Sequence, residues 1–437
     1  MNVFRELRRR QAFGRVIRVA VVGTGAMGRG IAGQLQRMPG MTPAILVNRT
    51  VERAVQVWIE LGVAKEDIVI SDDPRTLSVA VEKGAAAVSR DSCVAAAVKG
   101  IEVVIEATGT LMSAARTALS AIHCGKHVVV MNAALDATVG CYLCERARQQ
   151  GVVYSYADGS GPGSLMRLVE GIQGLGFELL VGGHCVESID VYATPNAREL
   201  SVQGGGSSAG RVCAVRDGTQ LNLESAVVAN ATGLFPQVRG MVGLRTTRGD
   251  AVADFGEMLH SPGVLDYTWG GDFGGGVFAI GRCNGLDSAG HNLDMLRMGP
   301  GPDYLFQRPY HLGCFEVPLT VVEAVLFREP ALAPRGAPLA EVIAIAKRDL
   351  KAGEILDGIG GGTLYGQIER ATDSVEFLPI GLSEGLRLNT SVSKGDPIPG
   401  SAVDVDGSQY MANLRHLQAM LFPASEPTTS HALPSLC

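Results

Sequence analysis

Large flat side chains are scarce in this chain of 437 residues: aromatics make up 5% of it, with two tryptophans. Long apolar runs are missing as well. No stretch approaches the ~18 residues that a membrane-spanning helix requires, and the N-terminus lacks the apolar core of a secretory signal. No membrane partner is expected. Positive charge is not in excess, with 38 Lys+Arg against 44 Asp+Glu and a net charge of −6, so the balance speaks against a nucleic-acid partner. Arg8, Arg9 and Arg10 beside Phe4 and Leu7 are a local exception. They read as a docked amphipathic helix with solvated arginines. Nine cysteines are scattered and odd in number. Cys141 and Cys144 form a C-x-x-C with no second pair at zinc spacing, which argues against a structural zinc site. They read as small apolar residues in a reducing, cytoplasmic setting.

What is abundant is small: 56 glycines in a chain that is 46% hydrophobic. That composition suits tight βα turns and close helix–sheet packing. Its length predicts two or three domains. Residues 16–22 (VIRVAVV) form a β-branched run, then a Gly-rich turn, then a helical pattern through 37. Strands are predicted at 43–47, 103–107, 127–131 and 152–156, and a stretch of small apolar residues at 84–88 precedes a further helix. Helices are predicted at 51–61, 111–124 and 139–150. This alternation predicts an α/β fold with a Rossmann-type, doubly wound parallel sheet over residues 1–156. An α+β middle domain follows over 157–337. It has short strand-like segments in 177–192, a mobile Gly/Ser-rich stretch at 201–210 (SVQGGGSSAG), an apolar helix at 219–232 and strands around 277–280. A β-rich module follows at 338–422, with a strand at 340–346, and a Pro/Ser/Thr-rich tail closes the chain.

The chemistry-bearing motif is Gly23-Thr24-Gly25-Ala26-Met27-Gly28. It stands between a predicted strand and a predicted helix, the context a dinucleotide fingerprint needs. Gly23 makes the tight turn, Gly25 lets the backbone approach a pyrophosphate, and Gly28 lets the helix pack on the strand. The helix N-terminus offers free N–H groups and partial positive charge to the phosphates. At the end of the second strand an NAD site usually places a carboxylate; here stand Asn48, Arg49 and Thr50. A guanidinium pairs with a 2′-phosphate that a carboxylate would repel, so NADP(H) is the expected cofactor. Ala107, Thr108, Gly109, Asn132 and Ala133 end two further strands and are expected near the nicotinamide.

Several long phrases carry a family resemblance: GTGAMG (23–28), EATG (106–109), ADGSGPGSLM (157–166), YATP (192–195), DGTQLNLESAVVANATGLFPQVRGM (217–241), YLFQRPYHL (304–312) and AKRDLKAGEILDGIGG (346–361). The chain resembles the homoserine dehydrogenase-like oxidoreductases with a C-terminal SAF (β-clip) domain. That resemblance implies NADPH-dependent chemistry on a small polar carbonyl or polyol, phosphorylated in some members. It extends to enzymes similar to 1-deoxy-D-xylulose 5-phosphate reductoisomerase, and it implies a SAF-like fold for 338–422. Where the family carries a G-K-G-K-N-like stretch, this chain has Gly182-Gly183-His184-Cys185-Val186, without lysines at 183 and 185. Two alternatives stand beside the leading reading: a homoserine dehydrogenase-type enzyme, and an NADP-binding protein whose catalysis has been altered.

Hydride transfer to a carbonyl needs a proton donor and groups that fix the substrate. Asp158 follows the last predicted strand of the sheet and can bind substrate hydroxyls or a divalent metal (Mg or Mn), or cap a helix. Asp217 and Glu224 bracket the start of an apolar helix, with Asn230 further along, and are candidates for a metal or a polyol. Arg308 suits an anionic group and His311 a proton transfer, and His184 stands where the lysines are missing. The partners expected are a small-molecule substrate and further copies of the chain, with the C-terminal module either joining subunits or covering the site mouth.

Overall fold

The computed structural model describes residues 3–195, 208–284, 292–405 and 409–423. The first unit alternates strand and helix: α1 (Val3–Ala12), β1 (Ile17–Val22), α2 (Ala26–Arg37), β2 (Met41–Val47), α3 (Val51–Glu60), β3 (Ile68–Ile70), α4 (Pro74–Glu82), β4 (Ala86–Ser89), α5 (Ser92–Ala97), β5 (Val103–Glu106), α6 (Leu111–His123), β6 (His127–Val130), α7 (Ala133–Gln149) and β7 (Tyr154–Tyr156). The strands form one seven-stranded sheet in the order β3-β4-β2-β1-β5-β6-β7. All its pairings are parallel. The order reverses between β1 and β5, which opens a crevice at their carboxyl ends. The strands are near-continuous apolar runs because helices cover both faces. Val19 and Val21 face one core cluster, Ala20 and Val22 the other. Helix α1 docks through fully buried Leu7, while Arg9 pairs with Glu6 on the outside at 2.9 Å.

The second unit comprises α8 (Gly161–Gly174), β8 (Glu178–Val186), α9 (Ala209–Arg216), α10 (Thr219–Thr232), β9 (Leu244–Arg245), α11 (Ala251–Met258), β10 (Val264–Trp269), β11 (Val277–Arg282) and β12 (Asp303–Arg308), followed by a short helix Val317–Val322. Its mixed sheet runs β12-β11-β8-β10-β9. The segment expected to hold short strands, 177–192, holds one nine-residue strand, β8. Its two glycines look like breakers but are demanded by packing. A Cβ on Gly183 would sit 2.0 Å from the Asp266 carbonyl oxygen, and one on Gly182 2.9 Å from Leu234.

The C-terminal unit is a β13 (Ala340–Ala346) and β14 (Leu364–Arg370) antiparallel pair with isolated bridges around it, closed by helix Tyr410–Leu421. Helix α10 joins this unit to the rest. The Gly366 and Ile368 amides of β14 donate to Thr219 Oγ1 (2.9 Å) and Asn222 Oδ1 (2.8 Å). Asn230 Oδ1 accepts from the Leu339 and Ala340 amides at 2.8 and 3.0 Å. These side chains satisfy edge groups that would otherwise be buried without partners. Asn230 is thereby structural, which corrects its reading as a polyol or metal group. Most of the 201–210 stretch and of the tail after Phe422 lies outside the described residues.

Candidate functional site

Over the crevice, the glycine turn is built as its spacing demands. Gly23 has φ +95°, and a Cβ there would lie 2.7 Å from the Ala107 carbonyl oxygen. A Cβ on Gly28 would lie 1.7 Å from the Gly23 carbonyl oxygen. Gly25 caps α2 with φ −70°, and nothing lies within 4 Å of a Cβ built on it. The first two glycines let chain segments touch, and the third faces open space at a helix N-terminus. Buried Thr24 receives a hydrogen bond from Asn48 Nδ2 at 2.6 Å, which ties the ends of β1 and β2 together.

A groove of about 530 Å³ runs over this turn. Ala26, Met27, Ala107, Thr108 and Gly109 line it, as expected, and Asn48 and Arg49 lie at its far end. Thr50 and Gly28 do not line it. Two further arginines do: Arg53, one turn after Arg49 on α3, and Arg90, just past β4. No carboxylate lines this groove among the described residues. Asp72 orients Arg90 through a 2.8 Å ion pair while also accepting the Arg90 amide at 3.0 Å. Sequence reading missed both arginines; β4 ends beside β2 at the same sheet edge, and that topology was the available signal.

A second cavity, about 320 Å³, shares Thr108, Gly109, Thr110, Ser208 and Arg211 with the groove. Asn132 and Ala133 line it, as their strand-end position predicts. Asn132 also caps α7, its Oδ1 accepting the Leu135 amide at 3.0 Å. Beside the crevice Glu106 is fully buried. Its Oε1 accepts both the amide and the hydroxyl of Thr108, and its Oε2 has no partner among the described residues.

The five candidate catalytic residues separate into two groups. Asp158 is buried, and Arg167 holds it from two nitrogens, at 3.1 and 2.6 Å. Arg167 also pairs with Glu323. Asp217 is fully buried and pairs at 2.7 Å with Lys347, whose ammonium also donates to the carbonyls of Ala193 and Gly361, each at 2.6 Å. Its other oxygen accepts the Thr219 amide at the start of α10, at 2.9 Å. Arg308 pairs with Glu316. All three charges are engaged in ion pairs, and none of them lines the groove or the second cavity. Buried charges persist only when paired, and their partners lie far off in sequence for Asp217 and nine residues away for Asp158.

Glu224 and His311 belong to the second group. Glu224 does not share a face with Asp217, which lies outside α10. Its Oε1 accepts from Gln220, a cavity-lining residue, at 2.8 Å. Its Oε2 and the His184 ring converge on Gly161, where a Cβ would meet them at 2.8 and 3.1 Å. Burial raises the Glu224 carboxyl above its usual range, against the opposing pull of Gln220, His311 and Arg211. Burial pushes His184 down to about 4, with His311 adding to the shift. The His184 Nε2 is buried, with no partner among the described residues. His311 is exposed, its Nδ1 3.1 Å from the Gly159 carbonyl. Among the described residues no three His, Cys, Asp or Glu side chains gather as a metal site, and no helix is long and apolar enough to cross a membrane. The C-x-x-C thiols are held protonated by burial, Cys144 up to about 11. Cys93, in contrast, is exposed.

Burial also pushes Glu106 and Asp136 up to about 7. Both lie above their unfolded values of roughly 4, so the folded chain binds more protons between about pH 4 and 7. The stability they contribute is fully present below about pH 4 and is lost as pH rises through 7. Urea unfolding at pH 5 and 7.5 should show this fall, and Glu106→Gln should flatten it by roughly 2–3 kcal/mol. An unchanged slope in that variant would contradict the assignment.

Two family models match consecutive stretches. Residues 23–157 match the NAD-binding domain of homoserine dehydrogenase, and residues 159–317 the catalytic domain of oxidoreductase DRL. The parallel sheet with its glycine turn and these two matches support an NAD(P)-dependent oxidoreductase. No curated protein matches the chain. Among solved structures, an NAD-binding oxidoreductase from Klebsiella pneumoniae is 18% identical, with 49% of this chain and 52% of that one covered and a TM-score of 0.33. A probable dehydrogenase from Thermotoga maritima is 14% identical, with 73% and 91% covered and a TM-score of 0.39. The chain thus spans about half the length of the first of these. At these scores neither likeness carries functional weight.

Proposed function

We propose that the chain is an NADP(H)-dependent oxidoreductase acting on a small polar carbonyl or polyol that bears an anionic group. The observation that carries this reading is the groove itself: a glycine cradle at one end, and Arg49, Arg53 and Arg90 without a lining carboxylate at the other. Three guanidinium groups suit a 2′-phosphate, which two of them can grip in bidentate fashion. The nicotinamide, when bound, supplies or accepts the hydride. The protein's part is to hold the two reactants in line and to manage one proton. Gly25 and the α2 amides would hold the pyrophosphate. Asn132 and Ala133 flank the reacting end, and Arg211 offers a cation there. Glu224, whose carboxyl burial shifts upward, is the proton donor this geometry supports best, with His184 and His311 beside it.

Fluorescence titration with NADPH and NADH tests the cofactor assignment. The parent should prefer NADPH, and Arg49→Glu should weaken NADPH binding by about 10- to 100-fold while sparing NADH. Equal affinities for the two cofactors in the parent would overturn it. The ADGSGPGSLM and YLFQRPYHL phrases favour a second, narrower reading, a reductoisomerase-like reaction in which a carbon shift precedes reduction. Oxidation of NADPH on addition of 1-deoxy-D-xylulose 5-phosphate and Mn²⁺ would support it, and its absence would remove it. For the homoserine dehydrogenase alternative, Lys347–Asp217 is the lysine–aspartate pair among the described residues, and neither residue lines the groove or the second cavity.

A further inference from the structure

The second cavity is walled by stretches remote in sequence. The start of α7 gives one wall, Arg211 and Gln220 of α9 and α10 give another, and Ile359, Gly381 and Glu384 of the C-terminal unit give a third. At about 320 Å³ it lies at the small end of ligand pockets. Three charged residues line it. Asp357 is occupied, its oxygens accepting the amides of Gly362 (2.6 Å) and Thr363 (3.1 Å). Arg211 and Glu384 are different: both are exposed at the cavity, and among the described residues neither side chain forms an ion pair. They stand on separate walls, one on α9 and one in the C-terminal unit. A purely anionic ligand would be repelled by Glu384, and a neutral one would make no use of the Arg211 charge. A ligand with an anion at one end and hydrogen-bond donors at the other satisfies both.

We propose, building on the oxidoreductase reading, that this cavity holds the substrate at two points. Arg211 binds an anionic group, and Glu384 accepts hydrogen bonds from hydroxyl or ammonium donors at the opposite end. The C-terminal unit is then part of the substrate site and supplies a specificity-determining residue. The substrate class is a small organic anion carrying such donors. Because Arg211 also borders the dinucleotide groove, the anion sits next to the cofactor, and the donor-bearing end points away from it.

Calorimetry on the full chain saturated with NADP⁺ tests this. The probes are sn-glycerol 3-phosphate, phosphoethanolamine and inorganic phosphate. At least one organic phosphate should bind about tenfold more tightly than inorganic phosphate. Preference for glycerol 3-phosphate identifies hydroxyl donors, and preference for phosphoethanolamine an ammonium. Glu384→Ala and Glu384→Gln should each erase that advantage while leaving inorganic phosphate binding unchanged, and Arg211→Ala should weaken all three probes. Equal binding of the three by the parent, binding of none, or an advantage that survives Glu384→Ala overturns the proposal. NADP⁺ is titrated first, and failure of the parent to bind it would instead sink the oxidoreductase reading.

Discussion

Replacing Gly25 by valine should leave the melting temperature within about 3 °C of the parent and weaken NADPH binding at least ~100-fold. The backbone at Gly25 is in an ordinary extended conformation with φ −70°, and a Cβ built there meets no atom within 4 Å. Nothing in the protein resists the substitution. What it removes is access: two methyl groups would stand where the pyrophosphate must approach the α2 amides. Gly28→Val is the contrasting control. Its first added carbon would lie 1.7 Å from the Gly23 carbonyl oxygen, so the turn itself must move and the melting temperature should drop by far more. If Gly25→Val bound NADPH with parental affinity, the groove would not be a dinucleotide site.

Lys347→Met should cost about 3–5 kcal/mol of unfolding free energy. The Lys347 ammonium is only 2% exposed, and its donors go to Asp217, to two main-chain carbonyls and toward the Cys213 sulfur at 3.4 Å. Taking it away leaves a fully buried carboxylate facing two carbonyl oxygens with nothing between them. Asp217→Asn on the Lys347→Met background should restore part of the loss, because an amide can donate to those carbonyls and carries no charge to strand. Urea denaturation of the two variants and the parent measures both steps. A loss under about 1 kcal/mol for Lys347→Met would show that the pair adds little.

The fold was most legible where local pattern and burial agree. The β1–glycine turn–α2 run, the helix at 219–232 and the strand at 340–346 lie where the sequence places them. Helix α7 begins at Ala133 rather than at 139 because it is buried on nearly every side. Such a helix shows no apolar stripe from which to read its start. The site was half legible. Strand ends and glycine spacing located the groove, since topology dictates where ligands lie in such sheets. Charged residues were the least legible, for one reason. Sequence says that Asp158 and Asp217 must be paired if buried but does not say with what, and Arg167 and Lys347 turned out to be protein partners rather than ligands. Arg211 and Glu384 were missed because a shared cavity between distant segments leaves no spacing to read.

The side chains that α10 lends to the C-terminal hairpin have a consequence for how the molecule comes apart. A single core cluster runs from Ala20 in the first sheet through Val227 of α10 to Ile368 of β14. Severing the polypeptide near residue 337 would not release two self-sufficient proteins. Each fragment would expose a sticky face matched to the other, so co-expressed halves should reassemble by complementation while either half alone aggregates.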